Sequence, residues 1–510
     1  MSLETELKLQ IEPRHLARLS AHPLLKRAAK RVTRKLYSVY YDTPDLDLWR
    51  ARVSLRVRRS GGQWLQTVKS GGAVAAGLHQ RHEFETPLAA PFPDFESVQT
   101  SEAAAFFSAP ELRERLQPVV VTEFTRTSRE LTPADGVAIE FSIDRGELKS
   151  GDVTLPLCEI ELEMKDGAPG HAYDVALHLL ETIPLLVEDR SKLERGIALY
   201  LRTPAKPLKS RRSLVAPGMR TNDVFRTLIT GCLAHYTANQ RGMLEGGDPE
   251  YLHQMRVALR RLRSVFSTFA PLFPAAVIAP LVEETRWLAR ILGVTRDWDV
   301  FGTETLPPVV ARHAGHAGLA TVAQAAERKR SAANRRARRA VASVRGQGLL
   351  LKFGAWTAAE AWLAALTDEQ RADLNRPADE FARETLAAAL KRVRKRGRNF
   401  VHLAPADLHR LRISAKKLRY ATEFFTPLFD EKAARDYRGA LARLQDSLGS
   451  YNDAVKMTAL AEQASRGLAG AAINEARGIM LGWRAGMEDA GTRYLKRVWK
   501  DFRAAEPFWD

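Results

Sequence analysis

Eight short segments in the first 200 residues alternate apolar with polar or charged side chains, and this period of two constrains the fold more than any other feature of the chain. The segments read LETELKLQI, RKLYSVYYD, RVSLRVRR, QWLQTVK, HQRHEFET, VVVTEFTRTSREL, GVAIEFSID and LPLCEIELEMK. Such alternation is typical of β-strands with one buried face, and turn sequences such as SGG, SGGAVAAG, TPADG and DRGELKSGD separate them. We therefore predict an eight-stranded, mostly antiparallel barrel with flanking helices around SEAAAFFSAPELRERL and AYDVALHLLETI.

The charged residues of these segments fall on one face of each predicted strand. Side chains two residues apart share a face, so Glu4, Glu6 and Lys8 point to one side of the first strand and its leucines to the other. The same spacing recurs in further segments, at Arg56 and Arg58, at Lys69, at Arg81, Glu83 and Glu85, and at Glu159, Glu161 and Glu163. A half-exposed strand with its charges in water would explain one such segment. Repetition around a closed barrel with an apolar exterior instead places the charges in the lumen.

A lumen lined by both signs of charge predicts an ionic ligand. Two like charges about 4 Å apart repel by about 4 kcal/mol at an effective dielectric of about 20, so paired arginines favour an anion with several negative groups. Clustered glutamates bind Mg²⁺ or Mn²⁺ through oxygen, and such an ion bridges them to phosphate oxygens. A set of internal salt bridges without a substrate is the alternative, but burying so many charges is costly. We favour a complex of a metal ion with a triphosphate.

Residues 203–218 are rich in proline and basic side chains, so we interpret them as a linker between a first domain at 1–202 and a second at 219–506. Beyond the linker, apolar residues recur every three or four positions, which predicts helices. HQMRVALRRLRSVFSTF begins at His253 and HRLRISAKKLRYATEFF at His409, an offset of 156, and LGVTRD and LGSYND are separated by the same offset. We therefore predict a multidomain α+β chain whose C-terminal half is an all-α, duplicated helical bundle.

The segments LGVTRD and LGSYND suggest where helices end. We interpret Gly293 and Gly449 as helix C-caps, with Asp297 and Asp453 at the start of the next helix. Such caps need no ligand, so these four residues are assigned a structural role.

The chain carries a formal net charge of +18, and all of the excess lies in its helical part. Residues 1–200 contain 26 basic and 29 acidic side chains, a net charge of −3, whereas the remainder contains 52 basic and 31 acidic, a net charge of +21. A cationic region of this size favours an extended polyanion, either nucleic acid or polyphosphate. With only 2 cysteines, no signal-peptide core and no apolar run long enough to span a bilayer, we expect a cytoplasmic protein without a membrane partner.

Each repeat is predicted to present a basic stripe beside an apolar one. On a helix that advances about 100° per residue, four basic residues of the first repeat fall within an arc of roughly 80°. They are His253, Arg256, Arg260 and Arg263, and their equivalents in the second repeat are His409, Arg412, Lys416 and Arg419. Two ordinary solvated faces are the alternative, although charge of one sign with few acidic partners gains little as helix surface. The stripes contain no interleaved aromatic side chains for stacking bases, which favours polyphosphate over nucleic acid.

Taken together, the motifs of the first domain resemble a known family. ETELKL supplies a Glu-x-Glu-x-Lys motif, and LRVRR, TVK, EFE, SIDRG, EIELE and RSKLERG follow it in order. This set resembles the CYTH domain, one of the triphosphate tunnel metalloenzymes, over roughly residues 1–202. The resemblance implies that an eight-stranded tunnel supports metal-dependent hydrolysis or cyclisation of triphosphates.

The same resemblance implies roles for individual residues. It assigns metal binding to Glu4, Glu6, Glu161 and Glu163, and phosphate binding to Lys8, Arg56, Arg58, Lys69, Arg126 and Lys192. It gives Glu85 and Asp144 a supporting role, either in metal binding or in orienting water. Arg126 and Arg129 fall on opposite faces of a regular strand, so either could supply the basic side chain of VTEFTRTSREL, and we favour Arg126.

The helical repeats also resemble a known family. HxxRxxxRRLR, HxxRxxxKKLR and the paired LGxxRD and LGxxND segments resemble the CHAD domain over about residues 219–506. This resemblance implies a basic groove that binds inorganic polyphosphate through the two stripes, and association with polyphosphate granules. The leading expectation is hydrolysis of inorganic triphosphate to pyrophosphate and phosphate with Mg²⁺ or Mn²⁺ as cofactor. The alternatives are a noncatalytic polyphosphate-binding scaffold, ATP cyclisation, thiamine triphosphate hydrolysis, and nucleic-acid binding by the helical part.

Overall fold

Nine strands form one antiparallel sheet in the computed structural model, which describes residues 2–98, 101–203, 205–210 and 214–509. The strands are β1 (Ser2–Gln10), β2 (Val32–Asp42), β3 (Val53–Ser60), β4 (Gln63–Ala75), β5 (Leu78–Leu88), β6 (Gln117–Leu131), β7 (Ala138–Ser150), β8 (Val153–Asp166) and β9 (Leu186–Val187). Eight of them follow the order β5-β4-β3-β2-β6-β7-β8-β1, and β5 also pairs with β1, which closes the ring. The short strand β9 pairs with the end of β1. The predicted eight-stranded antiparallel barrel is therefore confirmed.

Helices flank the barrel and make up most of the chain beyond it. Among the described residues they are α1 (Leu16–Ser20), α2 (Pro23–Arg27), α3 (Asp47–Arg50), α4 (Ser101–Phe107), α5 (Pro110–Arg115), α6 (Gly170–Leu180), α7 (Lys192–Tyr200), α8 (Thr221–Glu245), α9 (Pro249–Phe269), α10 (Ala275–Val300), α11 (Leu306–Arg312), α12 (Ala317–Ala342), α13 (Val344–Ala358), α14 (Asp368–Asn375), α15 (Ala378–Arg396), α16 (Pro405–Phe425), α17 (Glu431–Ser465) and α18 (Ala471–Ala504). Short 3₁₀ segments lie at Pro13–His15, Ala270–Leu272, Leu363–Ala365, Phe400–His402 and Thr426–Leu428, and a π-helical segment at Phe301–Thr305. None of the helices in the described part of the chain is long and apolar enough to cross a membrane.

Contacts within the chain divide it into two units. The first comprises Met1–Leu208, Leu233–Gly246 and Val341–Ala361, and the second comprises Lys209–Cys232, Gly247–Ala340 and Trp362–Asp510. Two helical segments that follow the predicted linker in sequence therefore pack with the barrel.

Apolar side chains on the outer face of the barrel pack against the flanking helices. Leu55 of β3 and Val68 of β4 form a buried cluster with Leu48 of α3 and Phe107 of α4. Burying a side chain of this size contributes roughly 1.5–3 kcal/mol to stability. Because side chains alternate along a strand, this outward packing turns Arg56 of β3 toward the lumen.

Helix α7 packs into one end of the lumen. Leu193 of α7 forms a buried cluster with Tyr40 of β2 and with Val120, which shares a face of β6 with Arg126. Gly196 lies so close to β6 that a Cβ at this position would be 2.3 Å from a methyl carbon of Val120. Apolar side chains therefore fill this end of the barrel, and the charged side chains occupy the remainder. The sequence pattern did not predict this helix inside the lumen.

Two segments that were predicted as turns lie largely within strands. SGGAVAAG belongs mostly to β4, which continues to Ala75 after a break in register between Ser70 and Ala73. DRGELKSGD belongs mostly to β7, which continues to Ser150. Gly146 lets β7 run close beside β6, because a Cβ at this position would lie 2.1 Å from the backbone oxygen of Glu123. Each segment does contain the turn between its two strands, at residues 76–77 and 151–152, but the turns are shorter than predicted, and the earlier glycines lie at a bulge and at a close approach of two strands.

The chain that follows β9 is anchored by helices α8 and α13. The Asp189 carboxylate accepts a hydrogen bond from the Gly77 backbone N–H at 2.6 Å and another from the Thr237 hydroxyl of α8. The Val187 backbone N–H donates to the side-chain oxygen of Gln347 in α13 at 2.9 Å. These buried polar contacts tie the two later helical segments to the barrel within the first unit.

The second unit contains the predicted repeat. Helices α9 and α16 begin 156 residues apart and also end 156 residues apart. Phe225 and Phe269 have the equivalents Phe381 and Phe425 at the same offset. The rings of Phe269 and Phe425 lie 6.0 Å apart, and those of Phe269 and Phe381 lie 4.9 Å apart. The two repeats therefore meet through equivalent aromatic side chains in one core.

The interpretation of Gly293 and Gly449 as helix C-caps is wrong. Gly293 lies inside α10 and Gly449 inside α17, and Asp297 and Asp453 belong to the same two helices. Gly293 instead leaves room for a neighbouring arginine, because a Cβ at this position would lie 3.0 Å from Nη1 of Arg256.

We expect Asp189→Asn to change the pH dependence of stability. Burial raises the pKa of Asp189 from 3.8 to about 7, although hydrogen bonds from Thr237 and Gly77 favour its ionised form. The folded state thus binds the carboxyl proton of Asp189 more tightly than the unfolded chain does. Protonated Asp189 therefore contributes its full stabilisation below the pKa of the unfolded chain, and this stabilisation is lost as the pH rises through about 7. Relative to wild type, the unfolding free energy of the variant should gain about 1–3 kcal/mol between pH 5 and pH 8, measured by urea unfolding. If the unfolding free energies of the variant and the wild type differ by the same amount at pH 5 and at pH 8, the expected titration of Asp189 is contradicted.

Candidate functional site

Strands β1 and β8 place opposite charges side by side in the lumen. Lys8 pairs in register with Glu161, and Glu6 pairs with Glu163. The Lys8 ammonium donates to Glu161 and lies 2.8 Å from an oxygen of Glu6. Burial opposes ionisation of Glu6, but the nearby cations, led by Lys8 and Lys69, together outweigh it and the pKa of Glu6 falls to about 2. The Glu-x-Glu-x-Lys motif therefore forms an ionic network across two adjacent strands.

Three buried carboxylates lie together deeper in the lumen, on β7 and β8. One oxygen from each of Asp144, Glu159 and Glu161 lies within 4.8 Å of the others, a spacing that could hold a metal ion. The Lys192 ammonium, at the start of α7, lies 2.7 Å from Asp144 and 2.8 Å from Glu161, and it also contacts Glu159. Arg126 makes two hydrogen bonds to Asp144, at 2.7 and 2.8 Å. Burial opposes ionisation of Asp144, but Lys192 and Arg126 hold its pKa below the usual value.

Glu4 has a less balanced environment than these three acids. Its carboxylate accepts a hydrogen bond from Lys69. Burial nevertheless raises the pKa of Glu4 to about 7, and the charges of Glu6 and Glu83 add to the effect of burial while Lys69 opposes it. A divalent cation with oxygen ligands would supply the missing positive charge. Glu4 therefore has room for a further cation nearby, whereas Lys192 already supplies positive charge to the triad.

The two lumen arginines of β3 have binding capacity that the described residues leave unused. Arg56 donates to the Thr67 hydroxyl at 2.8 Å, but its Nε is buried and has no hydrogen-bond partner in the described part of the protein. Arg58 donates to the Ser38 hydroxyl at 3.2 Å and forms no salt bridge with any residue that the structure describes. Burial, together with the charges of Arg56 and Arg126, lowers the pKa of Arg58 to about 10. An anion between these arginines would satisfy both.

Lys69 and the acids of β5 border the arginine pair. Lys69 lies 3.6 Å from Glu83, and Arg56 lies 3.7 Å from Glu83 and 3.9 Å from Glu85. Glu85 also accepts a hydrogen bond from the Thr67 hydroxyl at 3.1 Å. The structure therefore brings the predicted residues Lys69 and Glu85 to the same wall as Arg56.

The structure distinguishes the two candidate arginines of β6. Arg126 reaches Asp144 and Glu161 in the lumen, whereas Arg129 donates to the backbone oxygen of Leu25 at 2.9 Å.

Glu163 is more exposed than Glu161, and its nearest cation is Lys165 at 2.5 Å.

Several lumen residues were not among the predicted site residues. Glu159 contacts both Lys192 and Arg195, and its place in the alternating EIELE segment could have identified it. His79 lies opposite Glu6 in the sheet, and burial together with the charge of Lys8 lowers the pKa of His79 to about 3. Glu83 was noted on the charged face of its strand without being assigned a role. The phenol of Tyr40 interacts with Arg56. The sequence pattern did not single out Tyr40, because an aromatic ring counts as an apolar position in the alternation of side chains.

In the second unit, cations from α9 and α16 converge on one lysine. Burial, followed by the charges of four arginines, lowers the pKa of Lys416 to about 7. These arginines are Arg256, Arg260 and Arg263 of α9 and Arg412 of α16. We refer to Lys416 and these four arginines as the central basic surface. The two predicted stripes therefore form one surface over part of their length.

The ends of the stripes differ between the repeats. His253 is half-buried, and burial together with the charge of Arg296 lowers its pKa, whereas the equivalent His409 is exposed. Arg419 lies 3.6 Å from Asp446 and so has an acidic partner. Of the eight predicted polyphosphate ligands, the structure groups the five of the central basic surface most closely.

Comparisons with known proteins identify both parts of the chain. A profile of the CYTH domain matches residues 2–197, which form the barrel and α7. A profile of the CHAD domain matches residues 227–462, which contain both helical repeats. Together the two matches cover most of the sequence, and the chain therefore belongs to the proteins that join a CYTH domain to a CHAD domain.

Three known proteins are similar to parts of this chain. An inorganic triphosphatase of Haemophilus influenzae is 30% identical over 204 residues, which are 39% of this chain, and the match spans 55% of that protein's length. An uncharacterized protein of Mycobacterium tuberculosis is 27% identical over 425 residues, 76% of this chain and 75% of that protein. The crystal structure of a CHAD domain from the plant Ricinus communis aligns with a TM-score of 0.51 and 31% identity, covering 59% of this chain and 98% of the plant domain.

We expect Glu161→Gln to destabilise the protein in the absence of any ligand. The substitution removes the carboxylate that contacts Lys8, Arg126 and Lys192, and breaking a buried network of this kind costs about 3–5 kcal/mol. Glu163→Gln is the matched control, because Glu163 is more exposed and should cost less than about 1 kcal/mol. Urea unfolding measures both changes, and equal losses in the two variants would contradict the proposed importance of the buried network.

Proposed function

We propose that the barrel hydrolyses inorganic triphosphate to pyrophosphate and phosphate with Mg²⁺ or Mn²⁺ as cofactor. The observation that carries this proposal is the unused binding capacity of Arg56 and Arg58. Nearly all of the lumen charges can be explained as internal ion pairs. The exceptions are the buried Nε of Arg56, which has no partner among the described residues, and the partly buried guanidinium of Arg58, which has no carboxylate there, and together they favour an anion. The Haemophilus influenzae inorganic triphosphatase, 30% identical to this chain over 204 residues, supports inorganic triphosphate as that anion.

The lumen residues divide this work between binding and charge balance. Arg56 and Arg58, with Lys69 and Arg126, bind phosphate oxygens, and the charge that they supply is worth most in a site from which water is largely excluded. Lys8 and Lys192 face the same space, but they contact Glu161 and thus also hold the acids of β8 in position. Water then attacks the terminal phosphorus in line with the departing pyrophosphate.

Four acids on the lumen faces of β1 and β8 are the proposed metal ligands. Glu4, Glu6, Glu161 and Glu163 supply the oxygens, and Glu85 and Asp144 support the metal or orient water. A divalent ion held by these carboxylates would supply positive charge against the phosphoryl group. The raised pKa of Glu4 supports this assignment, because its carboxylate lacks enough positive charge nearby.

We expect Arg58→Met to lower kcat/KM for triphosphate by about 100-fold, because it removes charge-bearing donors from the reacting phosphates. Arg59→Met is the matched control: Arg59 is the next residue on β3 but is exposed, lies 5.9 Å from the Trp64 ring and donates to the backbone oxygen of Gly61. Release of phosphate measures the rates of both variants. Removal of metal with EDTA should abolish turnover, and Mg²⁺ or Mn²⁺ should restore it.

The same assay distinguishes the alternative functions. Similar activity in the two arginine variants would overturn the proposed role of Arg58. Tight, metal-dependent binding of triphosphate without product would favour a noncatalytic receptor. Faster turnover of ATP to a cyclic product, or of thiamine triphosphate, would assign an organic substrate to the barrel.

We further propose that the helical part binds inorganic polyphosphate on the central basic surface, and that this binding directs the protein to polyphosphate granules. Five cations crowd there, and the cost of bringing them together appears in the lowered pKa of Lys416. A chain of phosphates offers dense negative charge without bases, which suits this surface.

We expect the affinity for polyphosphate to fall as the pH rises through about 7. Lys416 is protonated below its pKa of about 7 and neutral above it, and a bound polyanion favours the protonated form. Lys416→Arg keeps the positive charge at every pH in this range, so its affinity should change less between pH 6 and pH 8 than that of wild type. Fluorescence competition at constant salt measures the dissociation constants. Identical pH profiles for wild type and Lys416→Arg would contradict this role of Lys416.

A further inference from the structure

A second cationic cleft lies at the C-terminal end of α15. Arg392, Lys395 and Arg396 are three and four residues apart and therefore lie on one side of that helix. With Asp407 and Arg410 of α16 they line a cleft of about 480 Å³. Arg396 Nη1 donates to the backbone oxygen of Arg410 at 2.8 Å, which links the end of α15 to the backbone of α16.

The charges in the cleft are strongly unbalanced. Among the described residues that line it, only Asp407 carries a carboxylate, which pairs with Arg410. Within the part of the chain that the structure describes, Arg392, Lys395 and Arg396 have no carboxylate within salt-bridge distance. Favourable interaction with the helix dipole accounts for basic residues in the last turn of α15, but Arg410 comes from a different helix. The cleft therefore has room and charge for an oxyanion.

The first repeat shows that the helical fold does not require these charges. At the offset of 156, the four basic residues of the cleft correspond to uncharged side chains that are all buried. They are Tyr236, Asn239, Gln240 and Gln254. Asn239 donates to the backbone oxygen of Leu208 at 2.9 Å, and Gln240 donates to that of Val187 at 3.2 Å. The same helix face is thus used for packing in one repeat and is exposed and cationic in the other.

Lys417 connects the cleft electrostatically to the central basic surface. Burial, followed by the charges of Arg392, Arg396 and Arg263, lowers the pKa of Lys417. Arg263 belongs to the central basic surface, and Arg392 and Arg396 belong to the cleft. Lys417 is therefore within electrostatic reach of cations from both sites.

We propose that the cleft of Arg392, Lys395, Arg396 and Arg410 binds phosphate groups of a polyphosphate chain whose other part lies on the central basic surface. This inference rests on the proposed polyphosphate binding and adds a second point of attachment to it. A long chain occupies both sites at once, whereas a short oligophosphate occupies one at a time. Attachment at two sites raises the affinity for long chains through the effective concentration of the second contact.

The test compares two double variants of the full chain that remove the same charge from the same helix. Arg392→Gln/Lys395→Gln changes the cleft, and Lys391→Gln/Arg394→Gln changes exposed residues of α15 that do not line it. We expect the cleft variant to bind long-chain polyphosphate about tenfold more weakly. The salt dependence of its binding should correspond to the release of about two fewer counterions. Its binding of tetraphosphate should change less than about twofold, and the control variant should change less than about twofold with both ligands.

Each remaining outcome has a defined meaning. Equal losses in the two double variants, or no loss in the cleft variant, would overturn the second site. A cleft variant that loses affinity for single-stranded DNA but not for long-chain polyphosphate would overturn it in favour of nucleic acid. Failure of wild type to bind any polyphosphate would instead refute the proposed function. The variant Arg256→Gln/Arg260→Gln should lose affinity for both long-chain polyphosphate and tetraphosphate, which would show that the central basic surface binds phosphate under the same conditions.

Discussion

Closure of the barrel is the constraint on which the rest of the first unit depends. Once eight strands form a ring, every second side chain must occupy one enclosed space, and in this chain many of those side chains are charged. The charges are tolerated because acids and bases lie opposite one another in register, as Lys8 does with Glu161 and Arg126 with Asp144. On β3, Arg56 lies near Glu83 and Glu85, whereas Arg58 has no salt bridge to any residue that the structure describes, and this difference is the basis for the anion site proposed above.

The helical unit meets the opposite problem, because its cations gather without acids to balance them. Lys416 shows the cost most clearly, since burial and four arginines make its protonated form less favourable than in water. The two units therefore handle phosphate chemistry differently. The barrel encloses its charges and pairs most of them, whereas the helices present theirs toward solvent, where a long, flexible polyanion can reach them.

The alternation of side chains was enough to predict the eight strands, their closure and the charged lumen, because a period of two leaves little freedom once one face is apolar. It was not enough for α7, since nothing in KLERGIALY indicates that this amphipathic helix packs inside the barrel instead of outside. Glycines were misread for a related reason. Gly146 and Gly293 have no Cβ and so leave room for a neighbouring group, the backbone of Glu123 and the side chain of Arg256 respectively. A sequence does not show which groups will lie that close. The offset of 156 predicted the duplication well, because two separate motif pairs agreed on it, but it could not show that His253 and His409 would differ in burial.

The anchoring of Val187 and Asp189 by α8 and α13 has a consequence for the history of the gene. The barrel unit is discontinuous in sequence, because Thr237 and Gln347 lie far downstream of the strands that they support. An exchange of the N-terminal segment with that of a relative would separate these residues from their partners. Recombination at the proline-rich connection would thus succeed only between lineages that share the matching downstream residues, so the two segments are expected to have changed in step.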